Sequence, residues 1–275
     1  MTGDWTRVAL TIAPADAELA ADVLWRSGAA GVEEQEADGR VVLLGGFEDP
    51  AAAQAAADLA HTYGFAAEIS AIVDDGLDGW RAWATPVLAG RTWITPTWVA
   101  APEVGAEERI VRIDPGRTFG SGSHPTTRLV LGLLEGLVQP DDQVLDVGCG
   151  SGVLAVAAAC FGAASVVAID IDPDAPEITN ANAERNGVST RVTASNEPLA
   201  AVAATDRRFE VVAANLLAPV IAELAVDLVG NVAPNGALVV SGLLADRWED
   251  TTTLLAPLRP VQVVEEDGWV AVLLR

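Results

Sequence analysis

The sequence contains no lysine: all 16 of its basic residues are arginine. Acidic residues number 39, which gives a formal net charge of -23 at pH 7. This charge repels the phosphate backbone of nucleic acids, and no run of basic residues offsets it. A strongly acidic surface suits a basic partner, plain solubility or adaptation to high salt, and composition leaves all three open.

Cysteine and histidine are also scarce. The two cysteines, Cys149 and Cys160, have no metal-ligand spacing, and a disulfide framework needs more of them, so we expect small apolar core residues. The two histidines, His61 and His124, lie far apart in the sequence. We therefore expect no metal site.

We expect neither a secretory signal nor a membrane-spanning segment. The N-terminus has no basic segment followed by an apolar one, as a secretory signal requires. Residues 152–169 carry no charge, but Gly162 and Ser165 divide them into a helix and a strand. The sequence predicts a cytoplasmic protein without a membrane span.

The pattern of the chain changes along its 275 residues, which is long for one domain. Residues 1–75 predict the element order βαββαβ of a ferredoxin-like α+β domain. Residues 76–105 predict a linker whose tryptophans either seal the domain junction or contact the substrate: Trp80, Trp83, Trp93 and Trp98. Residues 106–275 alternate strands and helices, which predicts an α/β domain with a mostly parallel, doubly wound sheet.

Apolar periodicity and turn residues set the expected bounds of these elements. In the first domain they predict strands at 6–13, 31–36, 40–44 and 66–73, with helices at about 14–28 and 50–64. In the last domain they predict strands at 110–113, 144–147, 166–169, 188–194, 209–214, 237–241, 261–266 and 269–274. The helices predicted there cover 125–137, 153–161, 173–186 and 219–228.

The strongest functional signal is residues 144–152, Val-Leu-Asp-Val-Gly-Cys-Gly-Ser-Gly. They predict a buried strand, a glycine turn and the start of a helix, which together bring backbone N–H groups close to a ligand. The glycines alternate after Asp146, unlike the G-x-G-x-x-G spacing of dinucleotide-binding domains. A tight turn without a ligand is the alternative interpretation.

A second carboxylate strengthens this signal. Asp170 ends the next predicted strand, about 20 residues after the glycines, where an adenosine ribose needs an acceptor for its hydroxyls. Ligands bind at the carboxyl ends of parallel strands, so we expect Asp146, Gly148, Asp170 and Asn215 at one edge of the sheet.

Three segments together resemble one family. Residues 114–127 read Asp-Pro-Gly-Arg-Thr-Phe-Gly-Ser-Gly-Ser-His-Pro-Thr-Thr, residues 146–152 match motif I of Rossmann-like S-adenosylmethionine methyltransferases, and residues 213–218 read Ala-Ala-Asn-Leu-Leu-Ala. In this combination the chain resembles the ribosomal protein L11 methyltransferases (PrmA type). Where the family has Gly-Thr-Gly-Thr, this sequence has Gly-Ser-Gly-Ser, which keeps the hydroxyl groups.

The resemblance implies a protein-lysine N-methyltransferase that uses S-adenosyl-L-methionine and releases S-adenosyl-L-homocysteine. Its substrate would be ribosomal protein L11, methylated on lysine ε-amines, with the N-terminal α-amine as a further candidate acceptor. Self-methylation on lysine is impossible because the chain has none. Residues 1–75 would dock the substrate, and residues 1–70 hold 3 arginines against 12 acidic residues, a net charge of -9. We expect a monomer that contacts neither nucleic acid nor membrane.

The resemblance also implies roles for individual residues. Those that would bind the cofactor are Thr127, Asp146, Gly148, Gly150, Asp170, Ile171 and Asn215. Asp146 would accept from the cofactor α-amino group, Asp170 from the ribose hydroxyls, and Thr127 would bind the carboxylate, unless it is an ordinary cap. Asn215 is the expected catalytic residue, whose amide oxygen orients the target amine. His124 would shape a loop or act as a base, and Ser195-Asn196 would face the adenine.

Four alternatives stay open. Two keep the chemistry and change the target, to the lysines of another protein or to a nucleobase amine. The third is a nicotinamide-dependent oxidoreductase, which the glycine spacing disfavours. The fourth is a non-catalytic ribosome-assembly factor with a vestigial cofactor pocket.

Overall fold

The computed structural model describes residues 5–37, 39–72 and 84–275. The chain divides into two compact units, Met1–Trp83 and Ala84–Arg275. Of the four tryptophans in the predicted linker, Trp80 and Trp83 lie outside the described residues.

The first unit is a four-stranded antiparallel sheet with helices packed against it. Its strands are β1 (Trp5–Ile12), β2 (Gly31–Ala37), β3 (Arg40–Phe47) and β4 (Ala66–Ile72), and its helices are α1 (Ala17–Arg26) and α2 (Pro50–Thr62). The sheet order β2-β3-β1-β4 and the element order βαββαβ are those of the predicted ferredoxin-like arrangement. Alternate residues of β1, Val8 and Leu10 among them, are buried against the alanine-rich face of α2.

The second unit contains a seven-stranded sheet in the order β10-β9-β8-β11-β12-β14-β13. Its strands are β8 (Gln143–Val147), β9 (Ser165–Ile169), β10 (Val192–Ser195), β11 (Phe209–Asn215), β12 (Val232–Leu244), β13 (Pro260–Glu266) and β14 (Trp269–Leu274). The first five in that order pair in parallel, and β14 pairs antiparallel with both β12 and β13. This confirms the predicted mostly parallel sheet.

Helices cover both faces of the large sheet, which is why its central strands are continuously apolar. They are α3 (Pro125–Leu137), α4 (Val153–Phe161), α5 (Ala175–Arg185), α6 (Leu199–Ala203), α7 (Ala218–Gly230) and α8 (Trp248–Thr253). One core contains residues of α3, α4 and α5, and the other contains residues of α7. No helix in the described part of the chain is long and apolar enough to cross a membrane.

Strand β10 begins four residues later than predicted. After α5, Gly187 has a φ of +69°, and the N–H of Val188 donates to the carbonyl of Ala183 at 2.9 Å. This is the hydrogen-bond pattern of a glycine helix cap. Because the cap uses the backbone of Val188, the residues predicted to begin the strand end the helix instead.

Part of the segment predicted as a linker is folded in the second unit. It forms β5 (Val87–Ala89) and β6 (Thr92–Pro96), which pair with β7 (Arg109–Ile113) in a three-stranded sheet. Trp93 lies in β6, and its indole N–H donates to Glu108 at 3.1 Å. A local contact thus accounts for this tryptophan.

Candidate active site

Three parallel strands end together at the glycine turn. Val147 of β8 lies opposite Ile169 of β9 and Ala214 of β11. The next residues along these strands are Gly148, Asp170 and Asn215, so the register brings them to one edge of the sheet, as predicted.

The turn between β8 and α4 requires glycine. Gly148, Gly150 and Gly152 have φ values of +75°, +50° and +76°, which L side chains rarely adopt. A Cβ on Gly150 would lie 2.5 Å from the carbonyl oxygen of Phe119, and one on Gly152 would lie 2.6 Å from the side chain of Thr179. The chain itself therefore approaches this turn too closely for any side chain.

Asp170 fastens the glycine turn to the end of β9. One carboxylate oxygen accepts from the N–H of Gly150 at 2.7 Å and the other from the N–H of Asp172 at 2.9 Å. Each oxygen keeps capacity for a further donor. Ile171, next to it, is 91% exposed. Asn196 donates to the carbonyls on both sides of Ile171, at 3.1 and 2.6 Å, and so holds this loop in place.

Asp146 has a buried carboxyl group, and only one of its two oxygens has a hydrogen-bond partner. Its Oδ2 accepts from the N–H of Ala155 at 3.0 Å, whereas its Oδ1 is buried without a hydrogen-bond partner. Burial raises the pKa of Asp146 to about 7, against the opposing effect of the Ala155 hydrogen bond. A buried acceptor without a donor is costly, and a ligand that supplies a donor removes that cost.

The side chain of Asn215 is hydrogen-bonded to helix α3. Its amide nitrogen donates to the hydroxyl of Thr127 at 3.4 Å. Thr127 is buried in α3 and is not the N-cap of that helix, which is His124. Because the amide nitrogen points to Thr127, the amide oxygen can accept from another donor.

His124 packs as part of an aromatic cluster. Its Nδ1 accepts from the N–H of Thr126 at 3.3 Å, which caps α3. Its ring lies edge-on to Phe119 and Trp269, with centroid distances of 5.8 and 5.2 Å. Burial, aided by the charge of Arg128, lowers the pKa of His124. These contacts fit a residue that shapes the loop before α3.

The sequence interpretation missed the side chains that brace the turn from α5. Asn182 donates to the carbonyls of Asp114 and Ser151, both at 2.9 Å, and Thr179 donates to the carbonyl of Gly150 at 3.2 Å. Both side chains are fully buried. Their spacing of three residues on a helix, continued by Asn186, is a polar stripe that faces inward, and such a stripe is a detectable signal.

The chain is similar to proteins of one named family. Residues 49–275 match the family model described as ribosomal protein L11 methyltransferase (PrmA). A protein of that name from Pseudomonas putida is 37% identical over 292 residues, 98% of each chain, and one from Ralstonia nicotianae is 35% identical over 293 residues, 95% of each.

Other relatives match over a shorter segment. A ribosomal protein L11 methyltransferase from Symbiobacterium thermophilum is 42% identical over 204 residues, which are 73% of this chain and 65% of that protein. Here the chain spans just under two thirds of the relative's length. The crystal structure of ribosomal protein L11 methylase from Lactobacillus delbrueckii subsp. bulgaricus superposes with a TM-score of 0.63 and 28% identity, over 70% of this chain and 98% of that one.

Proposed function

The chain belongs to the ribosomal protein L11 methyltransferase (PrmA) family, and from that premise we propose that it transfers methyl groups from S-adenosyl-L-methionine to ribosomal protein L11. The acceptors are lysine ε-amines and also the N-terminal α-amine. The observation that carries the proposal is Asn215, which ends its strand beside the glycine turn with its amide nitrogen engaged by Thr127.

The residues of the turn suit the methionine part of the cofactor. Gly148 and Gly150 leave backbone without a Cβ at the carboxyl end of the sheet. Asp146 has a buried oxygen without a donor, and the α-amino group of the cofactor would supply one. The hydroxyl of Thr127 accepts from Asn215 and still has a proton to donate to the cofactor carboxylate.

The neighbouring loop suits the adenosine part. Asp170 can accept the two ribose hydroxyls on oxygens that already accept one backbone N–H each. Ile171 offers an exposed apolar side chain to the adenine. Asn196 holds the backbone of this loop, so its contribution to adenine binding is through that backbone.

The role of Asn215 is to orient the target amine. When bound, the cofactor supplies an electrophilic methyl group on a sulfonium. The amide oxygen of Asn215 accepts one N–H of the neutral amine and directs the nitrogen lone pair. Positioning of this kind can contribute several kcal/mol, up to about 7–11 in favourable cases. His124 takes no proton in this scheme, because its Nδ1 caps α3 and its ring is packed between two aromatic rings.

The first unit is proposed to dock the substrate. Residues 1–70 carry a net charge of -9, which attracts a basic ribosomal protein. We accordingly assign docking to residues 1–75 and catalysis to residues 106–275. A ribosomal substrate also implies action in the cytoplasm.

The test is intact-protein mass spectrometry of recombinant ribosomal protein L11 after incubation with the enzyme and S-adenosyl-L-methionine. We expect added methyl groups with the wild type and none with Asn215→Ala. Calorimetry of the same variant should give a cofactor Kd close to that of the wild type. Loss of cofactor binding by Asn215→Ala would refute the orienting role.

The same assay separates the other candidate functions. Cofactor binding with no mass added to L11 would shift the substrate to another protein's lysines or to a nucleobase amine. Binding of both L11 and cofactor without turnover would favour an assembly factor.

A further inference from the structure

We propose that Arg128 is a positioning residue that holds two substrate-facing segments at a set separation. These segments are the serine–glycine loop, residues 116–123, and the turn between β13 and β14. The proposal rests on the proposed function, because its main readout is turnover of ribosomal protein L11.

One guanidinium group binds both segments. Nε of Arg128 donates to the two carboxylate oxygens of Glu266 at 3.0 and 3.2 Å, and Nη2 donates to Glu266 Oε1 at 2.6 Å. Nη2 also lies 3.7 Å from a carboxylate oxygen of Asp267. Nη1 donates to the carbonyl oxygen of Ser123 in the loop. The Arg128 side chain is only 18% exposed, so this fork is shielded from solvent more than a surface ion pair.

Each segment contributes one aromatic ring to the cluster on His124. Phe119 lies in the serine–glycine loop, and Trp269 follows the turn directly. On the sheet, Ser241 of β12 pairs with Asn215 on one side and with Ala271 of β14 on the other. Trp269 pairs with Leu244, further toward the carboxyl end of β12, which is the edge where Asn215 ends its strand. The aromatic cluster therefore borders the place where a target amine would meet Asn215.

The serine–glycine loop contains several glycines, so the contact with Arg128 is needed to restrain its backbone. Gly116, Gly120 and Gly122 have positive φ values, and glycine gives the unbound backbone more freedom than other residues do. The inner part of the loop is bonded to the glycine turn, since Ser151 donates its N–H to the carbonyl of Phe119 at 2.9 Å and its hydroxyl to that of Gly120 at 2.7 Å. Arg128 holds the outer part, at Ser123. Its loss frees that part without touching the cofactor side.

The experiment compares Arg128→Gln with the wild type in L11 methylation and in cofactor binding. We expect kcat/KM for L11 to fall about 10-fold, since displaced substrate-positioning groups cost up to about 100-fold. The Kd of S-adenosyl-L-methionine should stay at the wild-type value. Arg128→Lys should recover part of the loss, because lysine keeps the charge but lacks the planar fork.

A matched control is available on the same helix. Arg91 pairs with Glu135 of α3 at 3.3 Å, toward the opposite end from Arg128. Arg91→Gln removes another arginine–carboxylate pair of this helix, one whose arginine side chain is 54% exposed, and should leave kcat/KM unchanged. Glu266→Gln should reproduce the Arg128→Gln defect, and the double variant should be no worse than either single one, because either change breaks the bridge between the two segments.

An NMR titration tests whether the Arg128 guanidinium lies beside the aromatic cluster, and thermal unfolding tests whether the fold persists. The charge of Arg128 lowers the pKa of His124, so Arg128→Gln should raise the imidazole pKa measured by NMR. The resonances of His61, the only other histidine, serve as the internal reference. An unchanged midpoint of thermal unfolding would show that the fold persists.

The outcomes distinguish this proposal from the one it rests on. An active wild type with an equally active Arg128→Gln variant would overturn the role of Arg128 and leave the proposed function intact. Equal losses in Arg128→Gln and Arg91→Gln would also overturn it. A wild type that binds the cofactor but leaves L11 unmodified would overturn both.

Discussion

Asp146 is unfavourable for the fold, and the proposed function gives a reason for its presence. Its carboxyl group is fully buried, accepts a single backbone hydrogen bond, and has a pKa of about 7. An apolar side chain would pack there at lower cost, and an ionised carboxylate is the form that would bind a ligand ammonium group. A residue of this kind is typical of functional sites.

The raised pKa predicts a pH dependence of stability. From the ordinary value of 3.8 up to about 7, the folded protein keeps a proton on Asp146 that the unfolded chain has lost. Stability therefore falls as pH rises through this window and levels off above it, with a total cost on the order of 4 kcal/mol. Asp146→Asn should lack this loss. Urea unfolding of both proteins at about pH 5 and 8 measures the part of this cost that lies above pH 5, roughly 3 kcal/mol.

The variant is also a control for other titrating groups. His124 titrates in both proteins, so its contribution cancels in the difference between their free energies of unfolding. We expect the free energy of unfolding of the variant, relative to the wild type, to be higher at the upper pH. A difference that is the same at both pH values would mean that Asp146 is ionised throughout.

At the level of elements, the site is a junction of three segments around one glycine turn. The end of strand β9 binds the turn through the carboxylate of Asp170. The serine–glycine loop binds it through the carbonyl of Phe119. Helix α5 binds it through the side chains of Thr179 and Asn182. These partners approach from different parts of the chain, so the turn cannot change shape without disturbing all of them.

Replacing a glycine by alanine should lower the stability of the protein within the turn and raise it on helix α3. Gly150→Ala forces a left-handed φ and places a Cβ against the Phe119 carbonyl, so we expect a loss of at least about 2 kcal/mol and of cofactor binding. Gly132→Ala on α3, where a Cβ meets no atom within 4 Å, should stabilise the protein by about 0.5–1 kcal/mol. Thermal unfolding and calorimetric cofactor titration test both. A Gly150→Ala variant that binds normally would contradict the account of the turn.

For the whole molecule, charge is the dominant property. With 39 acidic residues against 16 arginines, the chain would attract a basic substrate over long range, in addition to any specific contact. Salt screens this attraction but leaves the chemistry at the site unaffected.

The salt dependence of the reaction follows from this. We expect the KM for ribosomal protein L11 to rise when KCl is raised from about 50 to about 500 mM, while kcat stays constant. The KM for S-adenosyl-L-methionine, measured in the same series, is the internal reference. If the KM for L11 did not respond to salt, the acidic surface would serve solubility or salt adaptation instead of docking.

Local chemistry alone determined much of this protein. Helices α3 and α4 have the predicted bounds. Pro125 begins α3, the turn at Gly152 begins α4, and the apolar periodicity of each segment predicts how far its helix extends. The alternating glycines predicted a turn that only glycine can form, and their φ values agree. Strand register then followed from parallel pairing, which brings Asp170 and Asn215 to the same edge.

The tertiary structure decided what depends on residues distant in sequence. Arg128 and Glu266 are 138 positions apart, and no local pattern pairs them. The pKa of Asp146 depends on how completely helices and strands exclude water from it. The N–H of Val188 goes to a helix cap and not to a strand, because the glycine before it closes α5. Periodicity records which face of an element is apolar, and only packing determines which partner that face meets.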